Sequence, residues 1–319
     1  MRLAVLADIH GNLPALQAIA KKLESLQPDA VIVVGDIINA VPFSSQVIDF
    51  IRKTNWIAIR GNHEFYYLDF ESDRAQEAFR DPVRWGQLHW LVAHLREDQA
   101  RYLAALPDDL TLYFPGTQPV RAAHGIPGNN RRGFINRTPD SEIVRHLTSI
   151  PQDTLINAHS HRQVDRLVSG RIDANTIQSN DPLDFLETPQ SQARQWHLIN
   201  PGSAGLPLNG DVRAQFAIVD DVSPQAIHGG WRVHHYREPY DRRPALEAYR
   251  TSGMLEAGGV ISQLFYWELV TARPEIPYFF NWRRAQNHAA SLTLADAFIT
   301  YCEATGREAY VRQRDPLRA

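Results

Sequence analysis

The stretch Met1-Arg-Leu-Ala-Val-Leu-Ala-Asp-Ile-His-Gly-Asn12 decides how this chain is read. Arg2 to Ala7 has the pattern of a short buried strand, and the polarity changes abruptly at Asp8. Asp8 and His10 lie two residues apart just past the strand end, where an extended backbone projects both side chains to the same side. A carboxylate and an imidazole pointing together from the carboxyl edge of a strand form half of a metal site, and they sit where open α/β sheets bind ligands. Taken alone, Asp-x-His reads first as an ordinary polar β-to-α turn, so the rest of the chain has to decide.

Working outward, Gly11-Asn12 opens a helix through about Leu26, with Asn12 as its N-cap and Leu13, Leu16, Ala20 and Leu23 at helical spacing. Ala30 to Val34 is a continuously apolar strand of the kind buried on both faces, running into Gly35-Asp36. A helix over about 44–53 and a strand over 56–59 follow, the latter leading to Arg60-Gly-Asn-His-Glu64. Strand and helix alternation is the pattern of a doubly wound α/β fold. Residues from about 65 to 106 read as a helical insertion. Strands at 110–114 and 120–123 form a hairpin that delivers His124-Gly125; after a helix over 139–148, a strand at 153–157 leads to Ala158-His-Ser-His161. Strands at 164–168, 196–199, 213–219 and 230–236 then turn antiparallel, which indicates a core of two sheets. The polar stretch 177–194 reads as a loop. Beyond about 240 the pattern is helical, over 245–250, 254–271 and 292–305, with Pro274 and Pro277 as breaks. The expected organisation is a core over 1–240 and a C-terminal helical extension over 241–319.

The chain has 319 residues, 44% hydrophobic, with a formal net charge of -3. That length buries a sizeable core, and that charge gives no whole-chain argument for nucleic-acid or membrane-surface binding. A single cysteine, Cys302, excludes an intrachain disulfide framework and suits a reducing cytoplasm. Asp8 and His10 interrupt the apolar start too early for a signal peptide, and no apolar run approaches transmembrane length. A soluble cytoplasmic protein is expected.

Asp8, His10, Asp36, Asn62, His63, His124, His159 and His161 thus fall in order at the ends of strands, as D-x-H, G-D, G-N-H-E, H-G and H-S-H. Each piece alone is weak, and the ordered set is not. Imidazole and carboxylate donors suit Mn, Fe, Co, Ni or Zn, while the lack of a cysteine cluster disfavours a structural zinc or an iron–sulfur site. Two cations roughly 3.5–4 Å apart repel, so a carboxylate has to bridge them; such a pair shares a water and lowers its pKa towards neutrality.

These motifs resemble those of the calcineurin-like metallophosphoesterase family over roughly residues 1–202. The resemblance implies a two-sheet β-sandwich flanked by helices and a pair of divalent metal ions. It makes Asp8, His10 and His161 ligands of the first ion, Asp36 the bridge, and Asn62, His124 and His159 ligands of the second. His63 becomes the non-ligand histidine facing the scissile phosphate. Asn200-Pro-Gly-Ser203 is similar to a turn of the small prokaryotic phosphodiesterase branch, and is otherwise a plain Pro-Gly turn. Gly35-Asp-Ile-Ile-Asn-Ala40 lacks the acidic residue and arginine with which phosphoprotein phosphatases continue this motif, which argues against that branch. Ala158 replaces the usual glycine of G-H-[ST]-H, so a slightly altered backbone with both histidines retained is expected.

The function implied is hydrolysis of a phosphoester, nucleotide-like substrates included, by a hydroxide bridging two metals. His63 would help to hold the phosphoryl oxygens or protonate the leaving oxygen. The rival from another class is an inactive scaffold of the same fold, against which stands the complete ligand set. Arg131 and Arg132, in the loop after His124, either pair with phosphate oxygens or sit on a solvated loop. Glu64 either orients His63 or takes the acidic place favoured at a helix start; the second is preferred. The aromatic run at 264–269, with 278–282, reads first as packing of the extension on the core, next as a contact in a homo-oligomer, and last as a base-stacking platform.

Overall fold

The computed structural model describes residues 1–70, 72–135, 137–172, 192–286 and 292–318. In chain order, β1 (Arg2–Leu6), α1 (Leu13–Leu26), β2 (Ala30–Val34), α2 (Ser44–Lys53) and β3 (Ile57–Ile59) lead to α3 (Asn62–Asp69), α4 (Pro82–His94) and α5 (Glu97–Ala105). Next come β4 (Asp109–Leu112), β5 (Val120–Ala123), α6 (Asp140–Leu147), β6 (Thr154–Ile156), β7 (Gln163–Ile172), β8 (Gln192–Pro201), β9 (Ala214–Asp221) and β10 (Trp231–Glu238). Five helices close the chain: α7 (Arg243–Thr251), α8 (Met254–Thr271), α9 (Glu275–Ala285), α10 (Leu294–Thr305) and α11 (Arg307–Arg312).

Two five-stranded sheets, ordered β10-β9-β1-β2-β3 and β4-β5-β6-β8-β7, form the expected sandwich. Strands β1, β2 and β3 are mutually parallel, as are β5, β6 and β8. The unbroken apolar runs of β1 and β2 divide by the strand's two-residue period. Leu3, Val5, Ile32 and Val34 meet Val120, Ala122 and Ile156 between the sheets. Ala4, Leu6, Val31 and Val33 face outward onto Leu16 and Ile19 of α1 and Val47 and Ile48 of α2. Both faces are covered, so the carboxyl ends of the parallel strands are left to carry polar groups. Among the described residues, no helix is long and apolar enough to cross a membrane.

Three sequence expectations change. The 177–194 stretch lies outside the described residues up to 191, but Gln192 to Arg194 belong to β8. β7 and β8 pair over the full register from Gln163↔Pro201 to Ile172↔Gln192, far beyond their apolar cores. Backbone bonds carry this ladder through polar residues such as Asp165, Arg166 and Ser169, which apolar patterning does not register. Pro277 does not break a helix: it stands in the first turn of α9, where its missing N–H has no intrahelical partner to lose. Asn62 and His63 open α3 and are not in the loop before it.

The C-terminal helices pack on the core. Leu246, Tyr249, Leu264, Trp267 and Phe279 share one buried cluster with Ala40, Val41 and Leu206. α4 and α8 approach closely at Gly86, where a Cβ would lie 2.3 Å from the Ala257 carbonyl oxygen. This brings the buried Gln87 and Ser262 together, Ser262 Oγ donating to Gln87 Oε1 at 2.7 Å.

Candidate metal centre

The loops after β1 and β2 run side by side, with Asp8 N donating to Gly35 O at 3.1 Å and His10 N to Asp36 O at 2.9 Å. Asp8 (φ 52°) and His10 (φ 53°) are left-handed, not extended as the sequence suggested, and so are Asp36 (51°), His159 (65°) and His161 (54°). Such a conformation costs a non-glycine residue about 1–3 kcal/mol and persists only where the surroundings over-determine it. Ala158 keeps an ordinary φ, so replacing the motif's glycine does not distort that position.

Those surroundings are specific. Asp36 Oδ1 accepts His63 N at 2.9 Å in the first turn of α3, where a carboxylate is favoured. The buried Glu64 carboxylate accepts four backbone N–H groups: Asp36 (2.9 Å), Ile37 (2.8 Å), Ile38 (3.1 Å) and Gly61 (2.6 Å). Glu64 therefore opens the helix as preferred, and also fixes the whole Asp36 loop. A Cβ on Gly35 (φ 77°) would lie 2.7 Å from both Gly61 Cα and His124 Nδ1, so only glycine fits between them. The Asn200–Ser203 turn is more than a turn. Asn200 Nδ2 donates to Ala158 O (3.0 Å) and Ser203 Oγ to Asp8 O (2.8 Å), bracing two ligand-bearing loops at once.

The eight side chains singled out in the sequence converge. Ligand atoms of Asp8, His10 and His161 lie within 4.8 Å of one another, as do those of Asp36, His124 and His159 and those of His10, Asp36 and His63. Asp36 Oδ2 lies 3.2 Å from His124 Nε2 and 3.7 Å from His10 Nε2. Asn62 Oδ1 is 3.0 Å from His124 Nε2 and 2.8 Å from His159 Nδ1. His124 Nδ1 is committed to Val34 O and His161 Nδ1 to Leu206 O, which turns the Nε2 atoms to the centre. Burial holds His159 down to about 3 and His161 to about 4, and holds His10 well below the usual histidine range, so all three present neutral imidazoles. Burial, with Asp36 nearby, pushes Asp8 well above the usual carboxylate range; burial acts on Asp36 the same way, but His124 and His63 hold it well below that range.

His63 is placed differently. Its ring is edge-on to His10 at 4.7 Å and its Nε2 stands 4.0 Å from Asp36 Oδ2. Arg131 lies over the Tyr66 ring, 5.2 Å from its centroid, whereas the Arg132 guanidinium is paired with Glu142 at 3.0 Å. Sequence reasoning missed Asn39, Ala40 and their supports. Ala40 O accepts Tyr249 Oη–H at 2.7 Å and Gln87 Nε2–H at 3.0 Å, and Gln87 Nε2 also reaches Asn39 Oδ1 at 3.1 Å. No local signal marks residues so distant in the chain as partners.

The residues fit a cation-binding site. Asp8 Oδ2, His10 Nδ1 and His63 Nδ1 are buried without a hydrogen-bond partner among the described residues, and histidine nitrogens face the Asp8 and Asp36 carboxyl groups across 3–4 Å. Lone pairs so gathered are stabilised by positive charge. A sandwich with such a cluster at its strand ends defines a class, and the class is matched in sequence: residues 1–190 fit the calcineurin-like phosphoesterase family, to which this chain belongs. The family is metal-dependent, and the chain is a phosphoesterase by class. The chain is 23% identical over 254 residues to uncharacterized protein MJ0912 of Methanocaldococcus jannaschii, across 77% of this chain and 90% of that one. It also superposes on a metallophosphoesterase crystal structure from Sphaerobacter thermophilus with a TM-score of 0.57 at 20% identity, over 83% of this chain and all of the other, a likeness of fold.

Proposed function

We propose that this protein is a binuclear metal-dependent phosphoesterase acting on phosphodiesters in preference to phosphoproteins. The observation that carries the reading is the position of Asp36, whose carboxylate groups with His124 and His159 on one side and, on the other, with His10, itself grouped with Asp8 and His161. In this reading Asp8, His10 and His161 hold one divalent ion, Asn62, His124 and His159 the other, and Asp36 both. The nitrogen and oxygen donors suit Mn, Fe, Co, Ni or Zn. Bound there, a metal pair supplies an activated water and positive charge for the phosphoryl oxygens.

The chain's own groups do the rest. His63 Nε2 holds the proton that the leaving oxygen needs. Arg131 supplies a cation for a phosphoryl oxygen, while Arg132 is engaged by Glu142. The carbonyls of Val34 and Leu206 fix the tautomers of His124 and His161. We further propose that residues 241–319 supply no ligand, and that the protein works in the cytoplasm, which its single cysteine suits.

The test is metal content and turnover together. Chelation should abolish hydrolysis, and Mn should restore it better than Mg. Asp36→Asn should lose both ions, whereas His161→Ala should keep the one bound by His124 and His159. Full, equal occupancy in both variants would remove Asp36 as the bridge, and undiminished hydrolysis by metal-free protein would sink the mechanism.

A further inference from the structure

Beside the histidines lies a cavity of about 460 Å³. His10, His63, His159 and His161 form one side of it. Tyr66 of α3, Trp85 of α4, Ile261 and Phe265 of α8 and Phe280 of α9 are among the residues that wall the rest. A phosphoryl group needs only the histidine side. Cavities that enclose an organic ligand typically measure ~300–1,000 Å³ and are mainly apolar, and this one is of that kind.

The walls also state what sort of ligand fits. Tyr66, Trp85, Phe265 and Phe280 are half-buried rings, and Phe265 stands 6.5 Å from His63 at 68°, an edge-on approach. Aromatic pairs favour such edge-to-face and offset arrangements over other geometries. Two charged side chains line the cavity as well. Arg84 lies over the Phe280 ring at 5.6 Å, and Glu268 Oε1 accepts Ile276 N at 3.1 Å.

We propose that this cavity binds the organic group of the phosphoester, and that the group is a flat aromatic ring. The proposal rests on the phosphoester reading above and gives it a substrate class. Phe265, Phe280 and Ile261 select the ring, so substrate choice resides in the C-terminal helices while the ligand-bearing residues lie in the core.

The experiment uses full-length, Mn-loaded protein and calorimetric titration with methylphosphonate, cyclohexylphosphonate and phenylphosphonate. Burying a phenyl-sized group is worth roughly 10- to 100-fold in affinity, so phenylphosphonate should bind more tightly than methylphosphonate by that factor, and more tightly than cyclohexylphosphonate. Phe265→Ala and Phe280→Ala should each cut the phenyl-to-methyl ratio at least threefold. Ile261→Trp, which fills the cavity without removing a ring, should cut it as well. Equal affinity for methyl and phenyl, equality of cyclohexyl and phenyl, or a ratio unmoved by all three variants would overturn the proposal. Adenosine monophosphate against ribose 5-phosphate identifies the source: the same preference there indicates a nucleobase, and preference confined to phenylphosphonate indicates a simple aryl ester. If neither inorganic phosphate nor any phosphonate binds, the phosphoester reading itself falls; if phosphate binds without any ring preference, only this proposal does.

Discussion

The Glu64 carboxylate accepts the backbone N–H of Asp36 at 2.9 Å and so holds the central carboxylate in its left-handed conformation from behind. Burial and the neighbouring Asp36 push Glu64 up to about 7, while its four N–H donors favour the ionised form. Glu64→Gln turns an NH₂ group towards at least one of those donors. Replacing a group that orients a metal ligand typically costs ~10–100-fold in metal affinity, and a comparable loss is expected here, with a lowered thermal midpoint in the metal-free protein. Metal titration checks it, and wild-type affinity in the variant would show that the Asp36 loop holds itself.

His63 is expected to matter according to the leaving group. General acid assistance is worth ~10²–10⁴-fold, and a nitrophenolate needs far less of it than an alkoxide. His63→Gln should therefore lower kcat much more on an alkyl diester than on a nitrophenyl diester, at unchanged metal content. Equal losses on the two would assign His63 to charge stabilisation instead.

The helix α8 carboxyl of Glu268 is pushed up to about 8 by burial, from an ordinary value near 4.5. Below about 4.5 the group is protonated in both the folded and unfolded chain and imposes no penalty. Between there and about 8 only the folded chain keeps the proton, so stability falls as pH rises, by up to about 1.4 kcal/mol per pH unit. Glu268→Gln should flatten this slope. The check is the difference in unfolding free energy between variant and wild type at pH 5 and pH 8, expected to grow in the variant's favour with pH. A difference independent of pH would mean that Glu268 is ionised throughout.

The supports of Ala40 should behave as a unit. Tyr249→Phe leaves Ala40 O its bond from Gln87, so a loss of about 1 kcal/mol is expected. Gln87→Leu takes one of two donors from Asn39 Oδ1, which keeps the Ala40 N–H, and strands the Ser262 hydroxyl, and should cost roughly 2–3 kcal/mol. Urea unfolding of the double variant should depart from additivity by at least ~0.5 kcal/mol; strict additivity would show the two contacts to be independent.

The strand-end residues were legible because each motif is local and chemically distinctive, and the apolar runs of β1 and β2 announce a sheet covered on both faces. Conformation at those residues was not. Asp8 and His10 carry no glycine to advertise a positive φ, and the strain is imposed by contacts with distant loops. Glu64 was read as a helix-start residue because its partners at 36–38 meet it only in the folded chain. Gln192 to Arg194 were misread because a ladder bonded through the backbone needs no apolar side chains. Helices α7, α8 and α10 were recognised but α9 was hidden behind Pro274 and Pro277, and nothing in the pattern says that Phe265 and Phe280 line a cavity beside the histidines.

The hydrogen bonds from Tyr249 and Gln87 to Ala40 have a consequence for the order of assembly during synthesis. His161 completes the ligand-bearing sequence, and the chain must grow to Tyr249 before Ala40 O gains its second donor, and to Ser262 before Gln87 gains its own support. A ribosome-bound intermediate thus owns every candidate ligand, with Glu64 and Gln87 already on hand for the Asp36 loop, while the Tyr249 hydroxyl that completes the hold on Ala40 is still to come. In the nascent chain the last tie on Ala40 therefore arrives only with the C-terminal helices.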